Sequence, residues 1–191
     1  MSTLLQRLSR DHHRLIRVMD LLESQLARFN SGNQPSYDLL CELLEYIVDY
    51  TDQVHHPSED QLFARVQAVS DVHHPLLQHL IEEHVILAQL GRQLRTSLEG
   101  IIHEAVVPRE QVSQQGAQWI QMMRAHLDRE EAEAFVLARQ WLTAADWEAL
   151  DQQTPTAQDP VFGQLDPLRF RTLYAHLKDE QELSATAEPQ P

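Results

Sequence analysis

The sequence predicts an all-α protein: an antiparallel up-down-up-down four-helix bundle with short C-terminal helices. Three observations predict it. Among 191 residues only five are glycine and 6% are aromatic, while Leu, Ala, Glu and Gln dominate, a balance that favours helix over strand. Apolar residues recur at three- and four-residue steps over four long stretches, as on one-sided helices. The connections between those stretches are short, which sets successive helices side by side in opposite directions.

The first helix is expected from Leu4 to about Phe29, with Leu5, Leu8, Leu15, Met19, Leu22 and Leu26 on one stripe. Asn30 to Ser36 is a turn-rich connection, and Ser36 can cap the next helix. That helix runs from about Tyr37 towards Val69, with Leu40, Leu44, Ile47, Thr51, Leu62 and Val66 on one side. Pro57 should kink it. A third helix is expected from about His74 to Ile102 on Leu77, Leu80, Leu87, Leu94, Leu98 and Ile101. A fourth opens with Pro108 at a first helical position and ends near Trp141, carrying Val112, Trp119, Met123 and Leu137. Beyond Leu142, Thr143 and Asp146 have the spacing of a capping box for a short helix through Leu150. A further helix is expected from Asp166 and Pro167 to about Lys178. The expected division is therefore a bundle over 1–142, a helical appendage over 143–183, and a disordered tail over 184–191, where no apolar pattern remains.

Composition narrows the function. A hydrophobic share of 42% in a chain of this length suits one domain with its own core. With 15 Lys and Arg against 29 Asp and Glu, the formal charge of -14 repels phosphate backbones and anionic lipid, so neither nucleic acid nor membrane is an expected partner. Cys41 is the sole cysteine, which excludes an internal disulfide and a Cys-x-x-Cys site. The first ten residues carry no signal-like apolar run, and no stretch approaches the roughly 20 apolar residues of a spanning helix. A soluble, cytoplasmic protein is expected. What remains unusual is the content of 11 histidines.

Four of these histidines fall in the apolar seams. His12 takes the place between Leu8 and Leu15 where the first stripe expects an aliphatic residue, and His13 points elsewhere. On the second helix His55 and Glu59 share a face with Val48, Leu62 and Val66, because residues four apart stack one turn above another. His56 and Asp60 have the same spacing about 100° further round, and a kink at Pro57 would rotate that turn, so the two pairs are alternatives, with the stripe favouring His55 and Glu59. His84 fills the gap between Leu80 and Leu87, and His126 with Glu130 lies between Met123 and Leu137. Counted from loop midpoints near residues 33, 70 and 105, the four histidines agree in height to within about one turn at ~1.5 Å per residue. Six buried polar groups at one level need compensation. Metal ions supply it: imidazole and carboxylate suit iron, manganese or zinc, and His with Glu on two helices plus single ligands from two more can hold a bridged pair of ions. The expected ligands are His12, His55, Glu59, His84, His126 and Glu130.

The stretches Arg10-Asp11-His12, His55-His56-Pro57-Ser58-Glu59-Asp60 with Leu62-Phe63, Glu82-Glu83-His84, and His126-x-x-x-Glu130-Glu131 with Phe135 resemble the bacterial hemerythrin-like, or HHE cation-binding, proteins. The resemblance spans about residues 10 to 135. It implies a non-haem centre of two iron ions, with His and Glu ligands and an exchangeable position for dioxygen, nitric oxide or peroxide. One departure stands out: oxygen-carrying members have two histidines four apart on the third helix, and here the residue four before His84 is Leu80. Four histidines in place of five imply two more similar irons, both open, which favours sensing, oxidant chemistry or iron handling over reversible carriage.

Other residues carry weaker signals. His73, His74 and His79 near the second connection are expected to be solvated, with a surface metal site as the alternative. Tyr46 and Tyr50, about two turns and about one turn before His55, are expected to be packing residues, with a hydrogen bond to a ligand as the alternative. Trp119, Trp141 and Phe135 read as core, and His103 and His176 have no seam position. No substrate pocket or further acid or base is visible, so catalysis is left open. The function expected is a di-iron protein that binds or senses a small oxidant or handles iron. The alternatives are an enzyme consuming peroxide or nitric oxide, and an interaction module stapled by metal.

Overall fold

A computed structural model describes residues 2–72, 74–155, 159–163, 166 and 168–186, with side chains up to residue 178. The described residues are helical and contain no strand. Helix α1 spans Thr3–Asn30, where Ser2 caps the N-terminus by accepting from the Leu5 amide. Helix α2, Tyr37–Tyr50, is capped by Ser36 in the same way, as the sequence requires. Its continuation is the first departure from expectation. A five-residue π turn over Thr51–His55 joins α2 to α3, His56–Val69, and Pro57 lies in the first turn of α3. Helix α4 covers Pro75–Ile102. The fourth expected helix is likewise divided: α5 covers Arg109–Arg129, a second π turn covers Glu130–Ala134, and α6 covers Phe135–Trp141. Pro108 caps α5 rather than opening it.

The long segments pack in a cycle, α1 against α2, α2 against α4, α4 against α5, and α5 against α1. Polar pairs fix their register. Gln25 accepts from the Ser36 amide while Arg7 donates to Ser58; Arg95 pairs with Asp49 and His84 with Asp60. Trp119 donates to the Leu87 carbonyl and Gln111 to Ser97. Arg124 reaches Asp20 and Glu23, while Glu131 reaches His12. The Trp119 contact needs Gly91, because a Cβ there would stand 2.9 Å from Val48 and 3.1 Å from the indole nitrogen.

Two apolar clusters make the core. One gathers Leu15 to Phe29, most of α2, Leu87 to Leu98, and Val112 to Leu127. The other gathers Leu4, Leu5, Leu8, Leu62, Phe63, Val66, Leu77, Leu80, Phe135 and Ala138. Between them lies a buried polar layer of Asp11, His12, His55, His56, Glu59, Glu83, His84, His126 and Glu130.

Two further helices brace the outside. Helix α7, Ala144–Gln153, opens with the capping box expected at Thr143 and Asp146; Leu150 joins the second cluster, and Asp151 accepts from the Leu4 amide at 2.8 Å. Helix α8, Arg171–Thr186, sends Leu173 and Leu177 into the first cluster. It starts later than expected, because Asp166 accepts from the Arg169 and Phe170 amides in a turn ahead of it. It also extends past Lys178 into the stretch expected to be disordered, over residues rich in good helix formers. The tail beyond Thr186 lies outside the described residues, as does His73. Among the described residues no helix is long and apolar enough to cross a membrane.

Candidate metal centre

The polar layer brings together all six residues expected from the sequence, and a seventh. His12 comes from α1, His55 from the end of the first π turn, His56 and Glu59 from α3, His84 from α4, His126 from α5, and Glu130 from the start of the second π turn. His55 and His56 were alternatives by α-helical counting, since consecutive residues point about 100° apart. Both are buried, at 1% and 4% exposure. The π turn is the reason. It adds one residue to the helix, so the apolar stripes of α2 and α3 both stay on the core while two successive imidazoles face inward. The local chain sustains the wider turn: the His56 amide bonds to the Thr51 carbonyl, Thr51 Oγ1 donates to the Ile47 carbonyl at 2.8 Å, and Ser58 Oγ donates to the Val54 carbonyl at 2.6 Å. Asp60, the expected partner of the alternative pair, instead faces His84.

The donors fall into two groups that share Glu59. One is His12, His55, Glu59 and Glu130, the other His56, Glu59, His84 and His126, and the candidate ligand atoms of each group lie within 4.8 Å of one another. The glutamates each span both. Glu59 Oε1 lies 3.1 Å from His12 Nε2 and 3.3 Å from His55 Nε2, and its Oε2 lies 3.7 Å from His84 Nε2. Glu130 Oε1 lies 3.1 Å from His126 Nε2 and 3.3 Å from His84 Nε2, and its Oε2 lies 3.5 Å from His12 Nε2. Five imidazoles, not four, are present, three in one group and two in the other. The two halves are therefore unlike, against the expectation of two similar ones.

Outer carboxylates hold the rings. Nδ1 of His12, His84 and His126 faces Glu131, Asp60 and Glu83 at 2.9, 2.7 and 2.9 Å, so each Nε2 is turned inward. Glu83 is itself clamped by Arg129 at 2.6 and 2.7 Å. Asp60, Glu83 and Glu131 stand next to the candidate ligands Glu59, His84 and Glu130 in the sequence, and that adjacency was the available signal for this role. Aromatic rings back the site, with Phe135 stacked on His12 at 5.3 Å and His56 stacked on His84 at 4.2 Å. Trp119 and Phe135 are core residues as expected, while Trp141 is half-buried. His13 is exposed, His74 bonds to Ser70 and His79, itself exposed, pairs with the outer side of Glu83, so none of them joins the seven.

The chemistry of this layer fits a cation. Among the described residues, buried atoms without a hydrogen-bond partner include both ring nitrogens of His55, Nε2 of His56 and His126, and one oxygen each of Glu59 and Glu130. Each of these residues can present a lone pair to a cation, one nitrogen per neutral imidazole and the carboxylate oxygens, and leaving such buried groups unpaired costs about 1 to 3 kcal/mol each. Burial alone would pull the pKa of His12 and His84 down, but the surrounding carboxylates, Glu131 and Glu59 for one and Asp60 and Glu130 for the other, push both up to about 10. Burial opposes ionisation of Glu130 as well, yet His126 and its neighbours hold it well below the carboxylate range. The layer thus retains positive charge strongly, as protons when no metal competes. His56 goes the other way: burial and the adjoining imidazoles drive it well below the usual histidine value, so it is a neutral nitrogen donor. Neutral imidazole with carboxylate suits borderline cations such as iron, zinc or manganese.

No curated protein and no solved structure matches the chain. The hemerythrin HHE cation-binding domain does match, over residues 3–138, a stretch that contains all seven candidate donors and ends within α6. The chain belongs to the hemerythrin HHE cation-binding family.

Proposed function

We propose that residues 1–142 form an up-down-up-down four-helix bundle holding two iron ions and that the protein binds or senses dioxygen, nitric oxide or peroxide. The paired register of the long segments supports the topology. The observation that carries the function is the pair of donor groups, three imidazoles on one side and two on the other, joined by Glu59 and Glu130. His56, His84 and His126 would hold one ion and His12 and His55 the other, with the glutamates shared. When bound, such an iron pair supplies electrons and an exchangeable coordination position for a small oxidant. The two-histidine side brings fewer donors, so an incoming ligand would find its position there. The protein's part is to keep the rings oriented through Glu131, Asp60 and Glu83, to keep His56 neutral, and to exclude bulk water with the apolar clusters above and below. An enclosed, preorganised layer of this kind admits small molecules and rejects large ones.

Elemental analysis of protein purified without oxygen from iron-replete cells tests the metal, and spectra under dioxygen or nitric oxide test the ligand. About two irons per chain and a reversible spectral change support this reading. Sustained consumption of peroxide or nitric oxide with added reductant would replace it with the enzyme reading. Iron that no small ligand perturbs would leave a stapled fold, and one zinc ion or no metal would refute the di-iron reading.

A further inference from the structure

His55 differs from the other ligand candidates in how it is held. Its Nδ1 faces Asp11 at 3.9 Å, and among the described residues neither that nitrogen nor Asp11 Oδ1 has a hydrogen-bond partner. Asp11 thus stands to His55 as Glu131, Asp60 and Glu83 stand to their rings, but at a distance set by something else. Asp11 is 1% exposed, and burying a carboxylate requires partners. Tyr50 donates to its Oδ2 at 2.9 Å, and Arg14 lies 3.7 Å from its Oδ1.

Arg14 and the tyrosines lead out to the C-terminal segment. Asp159 Oδ2 accepts from Arg14 at 3.2 Å and from Tyr46 at 3.1 Å, and Tyr46 stacks on Tyr50 with ring centroids 5.7 Å apart. The other Asp159 oxygen accepts the amides of Val161 and Phe162, which fixes the carboxylate in its own loop. Asp11, Arg14, Asp159, Tyr46 and Tyr50 close into a ring in which all but the partly exposed Arg14 are buried. Packing alone would be served by phenylalanine at positions 46 and 50; the hydroxyls are there for the two carboxylates. Asp159 lies beyond residue 138, where the family match ends.

We propose that the turn at residues 159–162 is a working part of the metal centre, in which Asp159 acts as a positioning residue that, through Arg14, Tyr46 and Tyr50, sets Asp11 behind His55 and tunes the two-histidine side. The inference rests on the metal reading above. Arg14 is divided between two carboxylates. With the Asp159 charge gone, Arg14 turns wholly to Asp11 and draws that carboxylate away from His55, leaving the ring less firmly held as a ligand.

The test is a cobalt(II) titration of the metal-free full-length protein, followed by visible absorption, in wild type, Asp159→Asn, Asp11→Asn and Tyr46→Phe. Tyr46→Phe removes one hydroxyl and keeps the packing, so it remains informative if an aspartate variant fails to fold. Wild type should bind two equivalents. Asp11→Asn should weaken one of them about ten- to hundredfold and Asp159→Asn should weaken the same one about tenfold, while Tyr46→Phe, which frees Asp159 to draw Arg14 off Asp11, should tighten that same one, with the other unchanged. A merely structural role would weaken both alike or move only the melting temperature, and either result overturns the inference, as does an unchanged affinity in Asp159→Asn and Tyr46→Phe. Fewer than two cobalt ions in wild type would overturn the metal reading and this inference with it.

Discussion

Replacing His56 by leucine separates a ligand from an ordinary core histidine. The ring is 4% exposed and stacked on His84, with Nε2 buried and unpartnered, and its pKa is driven down, so the group lost is a neutral, unsatisfied one. Leucine is of similar size and leaves no orphaned nitrogen. Removing an unsatisfied buried polar atom relieves about 1 to 3 kcal/mol, and in a chain of this size each kcal/mol moves the melting temperature by about 2 to 4 °C. The metal-free His56→Leu protein should therefore melt about 2 to 12 °C above metal-free wild type. The metal-loaded comparison should run the other way: the variant should hold about one ion in place of two and gain less stability from loading, because only binding to the folded state stabilises it. Calorimetry of chelated and reloaded samples, with elemental analysis of the latter, reads both effects. A metal-free variant less stable than wild type, or two ions retained, would refute the assignment of His56 as a donor placed at a cost to stability.

Other outcomes follow from the same geometry. Glu59→Gln keeps the shape of a side chain shared by both groups but removes its charge, and metal content should fall below one ion per chain; retention of both ions would show that Glu59 is dispensable. The raised pKa values of His12 and His84, about 10 against the usual 6.5, mean that the stability they lend to the metal-free protein is fully present below about pH 6.5 and is lost as pH rises through about 10. Metal must displace those protons, so loading at pH 7.5 should release about two of them, overall affinity should rise about a hundredfold per pH unit there, and acidification should strip the metal. Calorimetry in buffers of different ionisation enthalpy counts the protons, and fewer than one released, or metal kept unchanged at about pH 4, contradicts this. Thr143→Ala, which breaks the capping box of α7, should cost about 1 kcal/mol in a thermal melt without changing the metal count.

Much of this was legible in the sequence. The stripes of Leu, Val and Met gave the helices, and the gaps in those stripes at His12, His84, His126 and Glu130 marked the polar layer directly. The second helix misled because counting assumed a constant 3.6-residue turn across His55 and His56. Two overlapping His to acid pairs four apart, His55 with Glu59 and His56 with Asp60, fit no single α-helical face; that conflict was the available trace of the π turn. The resulting choice dropped the fifth imidazole and made the halves look alike. Tyr46 and Tyr50 are buried packing residues and also hydrogen-bond donors. Neither donates to one of the seven candidate ligands; their partners Asp159 and Asp11 lie 113 and 39 residues away in the chain, too far for periodicity to register. The start of α8 was misplaced because Asp166 caps a turn instead of the helix.

Every one of the seven donors sits on a helical segment and none on a connection. Away from the caps Ser36 and Pro108, the links between these segments can therefore be lengthened, spliced with a reporter or cut to make new chain ends, while the donor geometry is carried by the helices themselves. Gly32 and Glu104, the described positions with positive φ, lie in two of those links, so the left-handed backbone falls where the chain can be rewritten without disturbing the centre.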